Sequence, residues 1–342
     1  MELCSQINLL MMEQNKKEPV KGFAKMTLDF SFKRVFGNEK DKKALIAFLN
    51  RMIEDTEIED VLLLPTERLG LTSIERKAIF DVFCRSTDGT EFIVEMQCAK
   101  QKYFRDRALY YAGYPLVEQG HKAFEKFVAE SGNEKSAKKF RWDYNLKPLI
   151  FIALLNFEME HDEGWPENKY YSSYRITEDS NHEIMNDKLR FIFIELGRFT
   201  KSIDCLEKIT DKWIYALKHM HEFDSRPAEL FENEFDALFN LAKIANFTSD
   251  EVNSYLNELV MDNDYWNTLV YAREEALQEG IAEGRAEGIA KGRAEGIAKG
   301  RAEGIAEGRA ETIKKMLEAG VPVEIIANAL GITPEECAAI GR

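Results

Sequence analysis

Cysteine is scarce and scattered in this chain. Five cysteines occur in 342 residues, and none of them forms a CxxC pair. This pattern excludes a disulfide-rich secreted scaffold and gives no support for a cysteine zinc site. An odd number of unpaired cysteines is typical of a reducing compartment, so the sequence predicts a cytoplasmic protein.

Long apolar runs and an excess of positive charge are also missing. No segment approaches the roughly 20 apolar residues of a membrane span, so no membrane partner is predicted. Lysine and arginine number 46 against 60 aspartates and glutamates, a net charge of −14. This balance excludes a protein that coats nucleic acid through a generally basic surface, although a locally basic groove stays open.

An acidic pair with a neighbouring glutamine is the most informative feature present. Asp81 lies in the apolar run 77–83, and Glu95 and Gln97 lie in the apolar run 92–97. Thr87-Asp88-Gly89-Thr90 joins the runs and predicts a β-hairpin. A carboxylate inside such a strand costs free energy unless something binds it.

The length of the hairpin loop decides which residues face each other. A two-residue loop, Asp88-Gly89, sets Asp81 opposite Met96. A three-residue loop, 87–89, with Gly89 in the left-handed conformation sets Asp81 opposite Glu95, with Cβ atoms roughly 5 Å apart. We predict the three-residue loop; the plainer interpretation is a hairpin with two solvated edge carboxylates.

Two facing carboxylates predict a divalent metal site, with Asp81 and Glu95 as the ligands. Magnesium is the natural ion because it favours a few carboxylates together with water and substrate phosphate. Such an ion assists phosphodiester hydrolysis. Gln97 shares the same strand face and can orient the attacking water by hydrogen bonding.

The order of predicted elements indicates an α/β fold. A helix signalled from Asn38, a strand at 61–64 and the hairpin are followed by a helix from about Tyr103 that ends or kinks near Pro115. Further strands are predicted at 149–155 and 191–194, which gives a mixed sheet flanked by helices. The predicted boundaries are a flexible leader at 1–24, an α/β domain at 25–200, a helical domain at 201–278, repeats at 279–311 and short helices at 312–342.

The repeats are four near-perfect copies of an octapeptide, Glu-Gly-Ile-Ala-(Glu/Lys)-Gly-Arg-Ala. Glycine occupies every fourth position from Gly280 to Gly308, eight in all, which costs a helix roughly 8 kcal/mol relative to alanine. The segment is either a flexible spacer or a helix that packs its small residues against a partner copy. We predict a spacer of weak helicity.

Several motifs together resemble the PD-(D/E)XK nuclease superfamily and, within it, the bacterial recombination-promoting nuclease or putative transposase family. The motifs are Asp29-Phe30-Ser31-Phe32-Lys33-Arg34-Val35-Phe36-Gly37, Glu95-Met96-Gln97, Arg107-Ala108-Leu109-Tyr110-Tyr111, the stretch 142–148, Asp211-Lys212-Trp213-Ile214 and the repeat tail. The resemblance covers the chain from about residue 25. It implies a restriction-endonuclease-like core of order αβββαβ, with the nuclease domain at 25–200.

The resemblance also implies roles for individual residues. Asp81 and Glu95 are metal ligands, the main-chain carbonyl of Met96 is a further metal contact, and Gln97 replaces the superfamily lysine. Asp29 and Lys33 match the amino-terminal signature, where Asp29 either reaches the metal or caps the first helix, and capping is the favoured alternative. The remaining candidates hold the DNA backbone or are ordinary surface residues: Arg105, Arg107 and Lys139.

Two functions are therefore expected, with an RNA-directed or toxin-like nuclease as a weaker third that the sequence does not separate from the first. The first is a Mg²⁺-dependent DNA endonuclease of low sequence specificity, linked to recombination or mobile DNA. The alternative is an inactive nuclease-fold protein that self-associates through its repeat tail. An intact Asp81/Glu95 pair favours the first, because an inactive site has no reason to keep two costly carboxylates.

Overall fold

The computed structural model describes residues 21–68, 78–131 and 140–340. Most of the predicted leader and Lys139 lie outside these described residues. By its internal contacts the chain divides into two compact units, one up to Asp262 and one from Asn263 onward.

Two helices, five strands, one long helix and three strands follow one another in the first part of the described chain, and the remaining α-helices come after them. The α-helices are α1 (Asp29–Phe36), α2 (Lys43–Met52), α3 (Phe104–Ser131), α4 (Ile209–His219), α5 (Asp236–Ala242), α6 (Ser249–Glu318), α7 (Val323–Leu330) and α8 (Pro334–Ile340). The strands are β1 (Val61–Leu63), β2 (Glu67–Arg68), β3 (Ala78–Ile79), β4 (Val82–Ser86), β5 (Glu91–Gln97), β6 (Leu149–Leu155), β7 (Tyr171–Tyr174) and β8 (Leu189–Glu195).

Within the described ranges, six of these strands form one mixed sheet in the order β1-β4-β5-β6-β8-β7. The β1–β4, β4–β5 and β7–β8 pairs are antiparallel, and β5, β6 and β8 run parallel. The order α2, β1, β4, β5, α3, β6 confirms the expected mixed α/β architecture. It is consistent with a restriction-endonuclease-like fold.

Both faces of the sheet are covered, which explains why its central strands are apolar on both sides. All seven residues of β6 are buried. Helix α3 contributes Phe104, Ala108 and Ala112 to the buried cluster on one face. The cluster on the other face joins residues of α2, such as Phe48, with residues of α4, such as Trp213.

Two local predictions differ from the structure, and one strand was not predicted. Helix α3 does not end near Pro115 but continues past it, since burial of the apolar face of α3 on the sheet offsets the lost backbone donor; a kink there stays a prediction. Helix α2 begins at Lys43, because the Asn38 side chain accepts the amides of Lys40 and Asp41 and holds the preceding residues in a turn. Strand β7 was not predicted, since its sequence, Tyr-Ser-Ser-Tyr, has little apolar character.

Residues 279–310 lie within α6, so the predicted weak helicity is wrong for the described structure, while the role of a spacer stays a prediction. Helix propagation adds one backbone hydrogen bond per residue without a new nucleation step, which opposes the cost of the glycines. A Cβ atom built on Gly280, Gly292 or Gly308 would meet nothing within 4 Å. The final helix, α8, is capped, because Thr333 and Glu336 exchange side-chain and backbone hydrogen bonds.

Among the described residues, no helix has the length and apolar character needed to cross a membrane.

Candidate active site

The hairpin has the register that brings the two acids together. Val82 pairs with Val94 and Arg85 pairs with Glu91, which sets Asp81 opposite Glu95. Gly89 has φ +91°, as the third residue of the loop requires. The predicted three-residue loop is confirmed.

The strand that carries Asp81 is interrupted there, whereas the sequence predicted one continuous strand. Strand β4 begins at Val82, and Asp81 lies in a bend. The Asp81 amide donates to Glu95 Oε1 at 3.3 Å, and Asp81 Oδ2 accepts the Met96 amide at 2.8 Å. These bonds between side chains and backbone take the place of ladder bonds, so regular pairing ends at the acids.

Burial makes the charges of both acids costly. Glu95 is 3% exposed, and its pKa is raised first by burial and then by the negative charge of Asp81. Burial also raises the pKa of Asp81, with the nearby Asp29 carboxylate adding to the effect. Within the described residues no hydrogen-bond donor reaches Glu95 Oε2. The pair therefore has acceptor atoms and negative charge to offer a cation.

Helix α1 brings a lysine to the pair. Lys33 Nζ lies 2.7 Å from Asp29 Oδ1 and 3.6 Å from Asp81 Oδ1. The favoured prediction that Asp29 caps its helix is wrong, because the Glu258 carboxylate accepts the amides of Asp29 and Phe30 at 2.7 and 2.8 Å. The Asp29 side chain is thereby left to hold Lys33 beside Asp81.

Gln97 is held by an arginine of α3. Arg107 Nη1 donates to Gln97 Oε1 at 3.2 Å and to Gln101 Oε1 at 2.8 Å, and its guanidinium lies 4.7 Å from the ring centre of Tyr111. With its oxygen occupied, the Gln97 side chain offers its NH₂ group as a donor. Arg107 also opposes the rise in the pKa of Glu95.

Arg105 lies apart from the acidic pair. Its guanidinium is exposed and donates to the Glu160 carbonyl oxygen at 2.9 Å, with His161 Nδ1 at 3.3 Å. His161 Nε2 in turn contacts Glu195 Oε1 at 2.7 Å. Sequence reasoning missed this buried His161–Glu195 pair; the signal was an acid directly after the apolar run 191–194.

The donor chemistry fits a magnesium ion. Within the described residues, no group of three or more His, Cys, Asp and Glu side chains could hold a metal by itself. Asp81 and Glu95 supply two hard carboxylates, and Mg²⁺ usually completes its coordination with water and substrate phosphate. The amide of Met96 is bonded to Asp81, and its carbonyl stays a predicted further contact.

Comparisons with known proteins give one match. Searches of curated proteins and of solved structures found no match. A family model described as PD-(D/E)XK nuclease family transposase matches residues 26–272, which include the hairpin, Lys33 and Arg107. Since this match spans well over half of the 342 residues, the chain belongs to the PD-(D/E)XK nuclease family transposases.

Proposed function

We propose that this protein is a Mg²⁺-dependent endonuclease that hydrolyses DNA phosphodiester bonds with little sequence preference, in the context of recombination or mobile DNA. Family membership indicates a nuclease- or transposase-related function. The observation that carries the finer proposal is the facing pair Asp81 and Glu95, buried and raised in pKa. Such a pair is costly in the folded chain without a cation.

Each site residue then has a distinct task. Asp81 and Glu95, with the Met96 carbonyl, hold the metal, which when bound supplies charge stabilisation and activation of water. Gln97 donates from its NH₂ group to the oxygen of the attacking water and so orients it. Lys33 places next to the pair the positive charge that Gln97 lacks, and Asp29 positions Lys33.

Two arginines of α3 are suited to the DNA backbone. Arg105 is anchored by a carbonyl oxygen and a histidine nitrogen instead of a carboxylate, so its charge is not neutralised by a direct ion partner among the described residues. Arg107 is anchored by two glutamine oxygens. Arginine suits phosphate because its fork can donate two parallel hydrogen bonds.

The test is nicking of supercoiled plasmid by purified full-length protein. We expect cutting with Mg²⁺ and none with EDTA, and we expect Asp81→Ala and Glu95→Gln each to lower the rate at least about a hundredfold. Glu59→Gln changes an exposed acid outside the site and serves as the matched control.

Wild-type cutting in EDTA, or full activity of Asp81→Ala, would contradict the proposal. Absence of cutting with Mg²⁺ and Mn²⁺, together with a mass above the monomer that falls when 279–310 are deleted, would instead support the non-catalytic alternative.

A further inference from the structure

We propose that the surface between α3 and residues 140–147 binds single-stranded DNA. We call this surface the aromatic groove, because its lining includes Phe124, Phe140, Trp142 and Tyr144. The cavity at the groove has a volume of about 770 Å³. The proposal rests on the proposed function for its choice of DNA. The groove itself lies outside the acidic pair and uses none of its residues.

Two of its aromatic rings, Tyr144 and Phe124, are exposed, and Phe140 and Trp142 are half-buried. Tyr144 is 77% exposed and has φ +58°, an uncommon conformation for a non-glycine residue. The rings of Trp142 and Tyr144 lie 5.1 Å apart, centre to centre. Backbone strain that presents an exposed aromatic ring is typical of a binding surface.

The tryptophan is fixed by a close approach to the helix. A Cβ atom at Gly120 would lie 2.6 Å from Trp142 Cζ3, so only glycine lets the indole ring sit there. Phe140 packs between Phe124 and Phe127 with ring centres 5.3 and 5.4 Å apart. The stacking faces are therefore set before a ligand arrives, which lowers the entropic cost of binding.

Basic side chains lie beside these rings on a protein whose net charge is −14. Arg141 lines the groove, and Trp142 is shared with an adjacent cavity of about 360 Å³ that Lys122, Lys126 and Lys147 line. The acid of that cavity, Glu91, is buried and paired with Arg85 at 2.5 Å. Lys122 and Lys126 pair with Glu118 at 3.2 Å and with Glu130 at 3.8 Å on α3, whereas no ion pair of the Lys147 ammonium is found in the described part of the chain. Lys147 is therefore the lysine of this cavity that is best placed to meet an anionic ligand.

Aromatic faces beside lysines suit single strands better than duplexes, because only unpaired bases expose their faces for stacking. The charge complementarity favours an anionic polymer over an apolar partner protein. Strand β5 runs from Glu91, at the adjacent cavity, to Gln97, at the candidate active site. The length of β5 therefore separates the adjacent cavity from the candidate active site by about 20 Å. A DNA single strand of roughly 4–16 nucleotides, the length that single-strand sites cover, can span this distance.

The experiment measures binding of a fluorescein-labelled 16-nucleotide oligo-dT to the full chain in EDTA, by anisotropy. We expect Tyr144→Ala and Trp142→Ala each to weaken binding about tenfold, and Trp142→Phe to stay within threefold because it keeps a stacking face. Lys147→Glu should weaken binding and make it less sensitive to salt. The controls are Tyr271→Ala and Lys40→Glu, which change exposed residues elsewhere.

Unchanged affinity in both Tyr144→Ala and Lys147→Glu overturns the proposal. Tighter binding of duplex DNA or of oligo-rU of equal length also overturns it, and a dimer that Tyr144→Ala dissociates shows that a second copy occupies the groove. Failure of metal-dependent cutting with groove binding intact contradicts the proposed function alone. Loss of groove binding with cutting intact contradicts this inference alone.

Discussion

Two buried glutamates lie near the carboxyl ends of parallel strands in one sheet. Glu95 lies on β5 and Glu195 ends β8, and they are 3% and 1% exposed. Strand β6 runs between the two strands, so that Gln97 and Glu195 both pair with Leu155. The two glutamates are therefore alike in burial and in their position near the carboxyl end of a strand.

Their hydrogen-bond partners differ. Glu195 accepts the Met159 amide at 2.7 Å and Arg198 Nε at 3.1 Å, and it contacts His161 Nε2 at 2.7 Å. Glu95 accepts one amide, that of Asp81, at 3.3 Å, and it faces a second carboxylate. The fold supplies one carboxylate with three partners, whereas it supplies the other with a single long hydrogen bond and a second acid.

The comparison separates a structural acid from a candidate catalytic one. A buried carboxylate with several donors stabilises the fold around it, since loss of its charge leaves its partners uncompensated. A buried carboxylate opposite another acid costs stability until a ligand binds. Burial by itself therefore does not distinguish the candidate site from a structural acid; the shortage of donors and the facing carboxylate do.

The strongest test exchanges each glutamate for glutamine in EDTA at pH 8. Glu195→Gln should lower the free energy of unfolding by about 3 kcal/mol, because His161 and Arg198 lose their charged partner. Glu95→Gln should raise the free energy of unfolding by about 1 kcal/mol, because it removes a buried charge that faces Asp81. A pKa shift of one unit corresponds to about 1.4 kcal/mol. Urea denaturation measures both, and a loss of stability in Glu95→Gln equal to that in Glu195→Gln would remove the distinction.

The second test asks which group supplies positive charge beside Asp81. Lys33→Gln should slow plasmid nicking about a hundredfold, as expected for loss of an electrostatic group near the reacting phosphate. Adding Gln97→Lys should restore part of the rate, because the new ammonium can reach the same region from β5. The nicking rate of Lys33→Arg, which keeps the positive charge, should lie between the rate of Lys33→Gln and that of Lys33→Gln/Gln97→Lys.

Oligonucleotide binding in EDTA separates this role from a structural one. Binding should change by less than threefold in Lys33→Gln if the chain remains folded. A nicking rate in Lys33→Gln equal to that of the wild type would show that Lys33 has no part in the reaction.

The smallest expected effect is on the pH dependence of stability. Burial raises the pKa of both Asp81 and Glu95, so the folded chain holds these protons more tightly than the unfolded chain. Their contribution to stability is full below the unfolded pKa of about 4 and is lost as the pH rises through their folded values. Relative to the double variant Asp81→Asn/Glu95→Gln, the wild type in EDTA should lose stability between pH 5.5 and 8, by about 1 kcal/mol or more.

Mg²⁺ should reverse this loss in the wild type and not in the double variant. At a hundred times its dissociation constant, a ligand adds about 2.7 kcal/mol. A Mg²⁺-induced rise in melting temperature that is equal in both proteins would place the metal elsewhere.

Much of the sheet was predictable, because its strands are short apolar runs bounded by turn residues. The hairpin register followed from one glycine, since Gly89 permits the positive φ that a three-residue loop requires. Strand β7 was not predictable in the same way, because an edge strand such as Tyr-Ser-Ser-Tyr takes its structure from its neighbour β8.

The surroundings of the acids were less predictable than their pairing. The cap of α1 comes from Glu258, 229 residues away, and it releases Asp29 to hold Lys33. Local capping rules consider only nearby side chains, so they assigned the cap to Asp29. Arg107 was placed correctly on the helix after the hairpin, but its bond to Gln97 depends on how α3 lies against the sheet.

The sequence by itself determined the hairpin, its loop and the opposition of Asp81 and Glu95, because these depend on alternation and turn geometry over some 20 residues. Only the tertiary structure decided which buried acids are satisfied, since the donors to Glu195 and the lysine beside Asp81 come from distant parts of the chain. The energy of a buried charge depends on what surrounds it, and packing alone fixes those neighbours.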